Sequence, residues 1–314
     1  MTEVKFGWRI PSFPVNGSKG REFVAQIIGN LEVIEEHYDS AWISDHFIPW
    51  ANFVPMKTDV LECWTTICYL AGIFKRIKFG SIVLCNSYRN PALLAKMSAT
   101  LQVLTDGRFL LGIGAGWKED EYIAYGYEFP KASARIKQLE EAVQIIRRMW
   151  EEDVVTFKGK YYRIEGALCE PKPEPPPPIM IGGGGEKLTL RVVALYADWW
   201  NLPNKTPEVY EHKLKVLKDH CSRVGRDYDE IKKTWVCCAS IARSKEEAIR
   251  TAKMSPFTRA ISMEEMLIGT PERIANKLRR YADMGVEYVI LRFLDFPRTD
   301  GAELFAKEVI PIFS

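Results

Sequence analysis

The sequence predicts a (β/α)8 TIM barrel carrying an inserted β-hairpin and proline-rich connector between its fourth helix and fifth strand, and three observations predict it. Eight short apolar runs, rich in β-branched and aromatic residues, recur along the 314-residue chain and read as buried strands. Segments of helical spacing separate them, the alternation that builds a parallel sheet with crossover helices. The runs are almost all continuously apolar, as strands covered on both faces should be, and no composition shift divides the chain, so one domain over residues 1–314 is expected. A doubly wound sheet is the competing arrangement.

In order, the first strand is VKFGWRI (4–10), followed by a helix over 21–37, and SAWISD (40–45) is the second strand. IKFGSIVLC (77–85) is the third, and the helix NPALLAKMSATLQVL (90–104) starts at Asn90 with proline at its first position. RFLLGIGAG (108–116) leads into the long helix of residues 134–152. Residues 153–178 break the repeat: they read as a β-hairpin turning at Lys158-Gly159 and then a stiff, proline-rich spacer. PIMIGGG (178–184) precedes a helix beginning near Glu186, and ADWWNL (197–202) and KTWVCCASIA (233–242) are the sixth and seventh strands. A helix from Thr270-Pro271 to a stop at Gly285 precedes EYVILRFL (287–294), the eighth.

Composition narrows the function classes. Lysine plus arginine (43) nearly balances aspartate plus glutamate (41), with no basic stripe, so a nucleic-acid partner is not expected. Seven cysteines form no CxxC pair and no cysteine–histidine spacing, which points to a reducing cytoplasm and no metal. The start MTEVKFGWRIP has no leader pattern, and no apolar stretch reaches the roughly 18 residues of a membrane span. The expectation is a cytoplasmic enzyme acting on a small molecule, away from membranes.

In such a barrel the active site collects at the carboxyl ends of the strands. Asp45 and His46 end the second apolar run abruptly, and Trp50 follows four residues on. His46 is the natural proton donor or acceptor near neutral pH, Asp45 could orient its imidazole or bond a cofactor, and Trp50 could wall the pocket. The other three histidines, at 37, 212 and 220, fall on polar helices and read as structural. Two glycine clusters close strands, GIGAGW (112–117) and GGGGEKL (182–188). Such loops let a ligand approach backbone amides, but neither cluster has the dinucleotide-binding spacing.

Together SDHFIPW (44–50), the stretch from Gly80 to Tyr122, the hairpin VVTFKGKYYRIEGALCEPKP (154–173) and PIMIGGGG (178–185) resemble the bacterial luciferase-like superfamily, across essentially the whole chain. SDHFIPW is similar to its branch that uses coenzyme F420, a deazaflavin. The resemblance implies a non-proline cis peptide behind the deazaflavin ring, matched here by Ile82-Val83, with Cys85 and Asn86 following on the same strand end. It further implies that Gly114, Ala115, Gly116 and Asp120 contact the cofactor tail, that Gly182, Gly183, Gly184 and Gly185 receive its phosphate, and that Asp45 lies near the ring with His46 and Trp50 over the reactive carbon.

Two departures bear on the substrate. Where the sugar-phosphate and alcohol dehydrogenases of that branch carry glutamates, this chain has Phe13 and Trp117, so an apolar or aromatic substrate is expected in a pocket lined by Trp8, Phe13, Trp117 and Trp200. The resemblance thus implies a deazaflavin-dependent hydride-transfer enzyme and a homodimer. An FMN-dependent monooxygenase of the same superfamily, fed by a partner reductase, and a non-catalytic flavin-binding protein are the alternatives.

Overall fold

A computed structural model of the chain describes residues 3–314. The strands are β1 (Lys5–Arg9), β2 (Ser40–Ile43), β3 (Lys78–Ser81), β4 (Leu84–Cys85), β5 (Phe109–Gly114), β6 (Val155–Lys158), β7 (Arg163–Ala167), β8 (Ile179–Gly182), β9 (Trp199–Pro203), β10 (Lys232–Ile241), β11 (Leu267–Gly269) and β12 (Val286–Phe293). The helices are α1 (Gly20–His37), α2 (Cys63–Ile73), α3 (Pro91–Leu104), α4 (Glu119–Ala124), α5 (Ala132–Glu151), α6 (Thr189–Tyr196), α7 (Pro207–Val224), α8 (Lys245–Met254), α9 (Pro271–Asp283) and α10 (Asp300–Glu308). Strand and helix alternate as the sequence predicts, and the fold is the (β/α)8 barrel. No helix among the described residues is long and apolar enough to cross a membrane.

The chain forms two compact units. One comprises residues 3–62, 201–215 and 232–314. Here β11, β10, β12, β1 and β2 lie side by side in parallel, with Gly7 opposite Ser40 and Ile290, and Cys238 opposite Arg292. Aromatic rings fix which face of each strand meets the helices. Phe6 of β1 and Phe293 of β12 pack edge-on against Phe305 of α10, with centroids 5.1 and 5.8 Å apart. Because side chains alternate along a strand, Gly7, Arg9 and Arg292 point to the opposite face. The three-residue strand β11 was not legible in the sequence, being shorter than any periodic signal.

The other unit comprises residues 63–200 and 216–231, with β3 and β8 flanking β5 in parallel. The third apolar run is interrupted: β3 ends at Ser81, and β4 resumes pairing with β5 at Leu84–Ile113. Asn90 caps α3 as its sequence suggests, its carboxamide oxygen accepting from the amides of Ala92 (2.9 Å) and Leu93 (3.4 Å). The hairpin β6–β7 is present, but its turn is longer than expected: Lys158 is still paired, and residues 159–162 make the loop, closed by Gly159 N–H donating to Tyr162 O at 2.9 Å. The carboxylate of Glu141 on α5 accepts the amides of Lys160, Tyr161 and Tyr162 at 2.8–3.0 Å, which replaces the tight turn as the organising contact. The proline-rich connector is tied down by side chains of α3 and its own lysine, with Gln102 Nε2 donating to Pro175 O (2.8 Å) and Lys172 Nζ to Met149 O (3.0 Å). All seven cysteines are free thiols, and Cys68 on α2 is the exposed one.

Candidate active site

In the second unit the carboxyl ends of β3, β5 and β8 form a cradle. The peptide Ile82-Val83 is cis, as the resemblance implies. The Val83 side chain fills the space over two glycines: a Cβ on Gly114 would stand 2.8 Å from Val83 Cγ2, and one on Gly182 3.0 Å from Cγ1. Glycine at both positions therefore lets an isopropyl group sit flush on the backbone, an apolar surface suited to the back of a flat ring. Gly116 holds a left-handed φ of +75° directly against Tyr122, whose hydroxyl shares a hydrogen bond with the Cys85 thiol at 2.9 Å. Burial pushes the Tyr122 and Tyr88 hydroxyls well above the ordinary tyrosine range, so both stay protonated, and Tyr88 donates to the buried carboxylate of Glu121 at 3.1 Å.

Asn86 is buried and donates through Nδ2 to the Tyr162 hydroxyl of the hairpin at 3.0 Å, so the insertion braces this strand end. Ala115 lies between the two glycines, its carbonyl facing the Tyr122 hydroxyl at 3.3 Å. Asp120 is more than half exposed and bonded to Lys118, whose hydrogen bond holds the carboxyl below its usual range. The Gly182–Gly185 loop is fixed from two sides. The buried indole of Trp200 donates to Gly183 O at 2.8 Å, and His220 Nε2 meets Glu186 O at 2.7 Å. The helix after this loop begins at Thr189, three residues beyond the expected Glu186, with Gly185 packed against the Thr189 side chain.

In the first unit Asp45 and His46 stand just beyond the last residue of β2, the acid buried and the imidazole partly exposed. Trp50, also partly exposed, stacks on Phe257 (5.8 Å, 28°) and packs against Phe13 (5.7 Å) and Phe53 (5.9 Å). Beneath this aromatic cover lies a buried arginine, Arg292, with the partly exposed Arg9 beside it, and neither stood out in the sequence. Arg292 is the one cation of its apolar run, whereas Arg9 shares its run with Lys5. Burial pushes the Arg292 guanidinium well below the ordinary arginine range, and the neighbouring Arg9 adds to the effect.

Of the four aromatic residues expected to line a substrate pocket, Phe13 joins the cover beside Trp50. Trp117 is exposed at the end of the β5 glycine segment. Trp200 anchors the Gly183 carbonyl. Trp8 shares the helix-facing side of β1 with Phe6 and is 1% exposed, so strand alternation places it in the core. Among the described residues no group of three or more metal-ligating side chains converges.

Comparison with known proteins agrees with this architecture. The F420-dependent glucose-6-phosphate dehydrogenase of Microbacterium testaceum (strain StLB037) is 28% identical over 306 residues, 88% of this chain and 89% of that protein. An F420-dependent secondary alcohol dehydrogenase, solved in complex with an F420-acetone adduct, superimposes with a TM-score of 0.83 at 20% identity over 99% of both chains. The FMN complex of the oxygenating constituent of 3,6-diketocamphane monooxygenase from Pseudomonas putida gives a TM-score of 0.80 at 18% identity, covering 99% of both. The profile of the family described as luciferase-like monooxygenase matches residues 4–266, and the chain belongs to that family.

Proposed function

We propose that the chain is an oxidoreductase that transfers a hydride between the deazaflavin coenzyme F420 and a small organic substrate with an apolar or aromatic body. The observation that carries this reading is the cradle of Val83 laid over Gly114 and Gly182, at the positions where the resemblance puts the back of the deazaflavin ring. The F420 dependence named for the relative from Microbacterium testaceum supports it. Ile82, Val83, Cys85 and Asn86 would support the ring, Gly114, Ala115, Gly116 and Asp120 the tail, and Gly182 to Gly185 the phosphate through backbone amides. When bound, F420 supplies a carbon centre that accepts or gives a hydride. His46 moves the accompanying proton, Asp45 fixes the ring or the imidazole, and Trp50 with its aromatic neighbours excludes water.

The substrate is not assigned as a sugar phosphate, because Phe13 and Trp117 occupy the two positions where the dehydrogenases of that branch carry acids. Glu121 is committed to Tyr88 in the cradle. A cytoplasmic homodimer completes the proposal, supported by the apolar Tyr69 and Ile73 exposed on α2.

The test is a parallel titration of the purified protein with F420 and with FMN, followed by quenching of tryptophan fluorescence. Tight F420 and weak FMN binding is expected. The reverse preference transfers the protein to the FMN-dependent monooxygenases, with oxygen uptake and a partner reductase as the next assay. Tight binding without turnover on any substrate would make it a cofactor-binding protein.

A further inference from the structure

Among the described residues no carboxylate pairs with Arg9 or Arg292 beneath the aromatic cover. Arg292 is 2% exposed, and its Nε, Nη1 and Nη2 are all buried without a hydrogen-bond partner. Its guanidinium lies 4.3 Å from the Phe257 ring centroid and 5.5 Å from that of Trp50, contacts that favour a cation but accept no N–H bonds. Arg9 points to the same side of the sheet and donates through Nη2 to Ser44 Oγ at 2.8 Å, yet its Nε is also without a partner. The indole N–H of Trp50 is buried and equally unanswered. Every one of these five unsatisfied atoms is a donor.

A fold that buries the Arg292 guanidinium beside a second, partly exposed cation, with surplus donors, is left with a large desolvation cost unless an acceptor arrives. The Cys238 thiol beside them offers no anion, since burial raises its pKa and keeps it protonated. A planar fork of free N–H groups matches a carboxylate or phosphate in paired hydrogen bonds. The surrounding Phe13, Trp50, Phe53 and Phe257 match an apolar body attached to that anion.

We infer that Arg292, together with Arg9, Ser44 and the Trp50 indole, receives the anionic end of the substrate, a carboxylate or phosphate ester on an apolar or aromatic body. Resting on the proposed function, this names the substrate class of the same enzyme: an organic acid, oriented by its charge. Trp50 and Phe53 are the partly exposed members of the cover, and movement of Trp50 admits the ligand.

Three probes of one shape test the inference: benzoate, phenyl phosphate and the neutral benzamide, titrated against the wild-type protein, Arg292→Met and Arg292→Lys, with tryptophan fluorescence and calorimetry as readouts. Saturable binding of one or both acids is expected, at least tenfold tighter than benzamide. The acid that binds more tightly decides between carboxylate and phosphate. Arg292→Met should lose at least tenfold of that affinity. Arg292→Lys, which keeps the charge without the fork, should weaken acid binding severalfold and leave benzamide unchanged, and it decides the matter should the methionine variant fail to fold. Benzamide binding as well as the acids, acid affinity unchanged in either variant, or no binding of either acid to the wild type overturns the inference. Titrating F420 into the same proteins separates the two readings. F420 binding without acid binding removes the anion site alone, whereas acid binding without F420 binding upholds the anion site and removes the hydride-transfer reading.

Discussion

His46 is placed by an abrupt change of chemistry, an apolar strand ending in an acid and an imidazole, and the structure keeps it partly open to solvent while Asp45 is buried. If it moves the proton that accompanies hydride transfer, His46→Ala should lower turnover by about 10²–10⁴-fold while F420 affinity stays near that of the wild type, read by steady-state kinetics beside the fluorescence titration. Unchanged turnover would take His46 out of the reaction. This residue was legible because a titratable group after a buried run stands out from its surroundings. Arg9 and Arg292 were not, because a cation at the edge of an apolar run looks like the strand reaching solvent. Trp8 and Trp200, expected to line the pocket, were ambiguous for a related reason. Both positions are buried, and only the ring contacts of Phe6 and the hydrogen bond to Gly183 show which side each indole serves.

The loop of the hairpin insertion is held to α5 by the carboxylate of Glu141, which satisfies three successive loop amides. Glu141→Ala should cost about 1–3 kcal/mol, seen as a lower denaturation midpoint, and speed proteolysis within 159–162, since charge-assisted bonds to backbone amides are lost together. The sequence showed the hairpin through its alternation, but the loop length depended on this contact from a residue about twenty positions earlier. A second element has its own pH signature. Asp295 accepts the amide of Gly301 in the first turn of α10 at 2.8 Å, and burial raises its carboxyl above the ordinary 3.8. With the folded value above the unfolded one, the native state holds the proton more tightly, so this group's contribution falls as pH rises from about 4 through the folded value. Asp295→Asn keeps an acceptor and removes the charge. The stability of the variant relative to the wild type should therefore increase over that window, measured by urea denaturation at a series of pH values.

At the scale of the whole chain, eight strands and their order were readable because continuous apolar runs and amphipathic helices have different periods. The break between β3 and β4 and the strand β11 were not, because pairing partners decide them. Cofactor binding should register across the entire fold. At a hundredfold excess over its dissociation constant, F420 adds about 2.7 kcal/mol, which for a chain of 314 residues raises the melting temperature by about 4 °C in calorimetry. FMN at the same concentration should raise it less. The distribution of thiols gives a last consequence. With six cysteines buried and Cys68 alone exposed, a maleimide dye would decorate the native protein at one known point on α2, beside the apolar Tyr69. Two such dyes brought together by self-association would exchange excitation energy and lose polarisation, and dilution would restore it. The chain thus carries its own reporter for the proposed dimer.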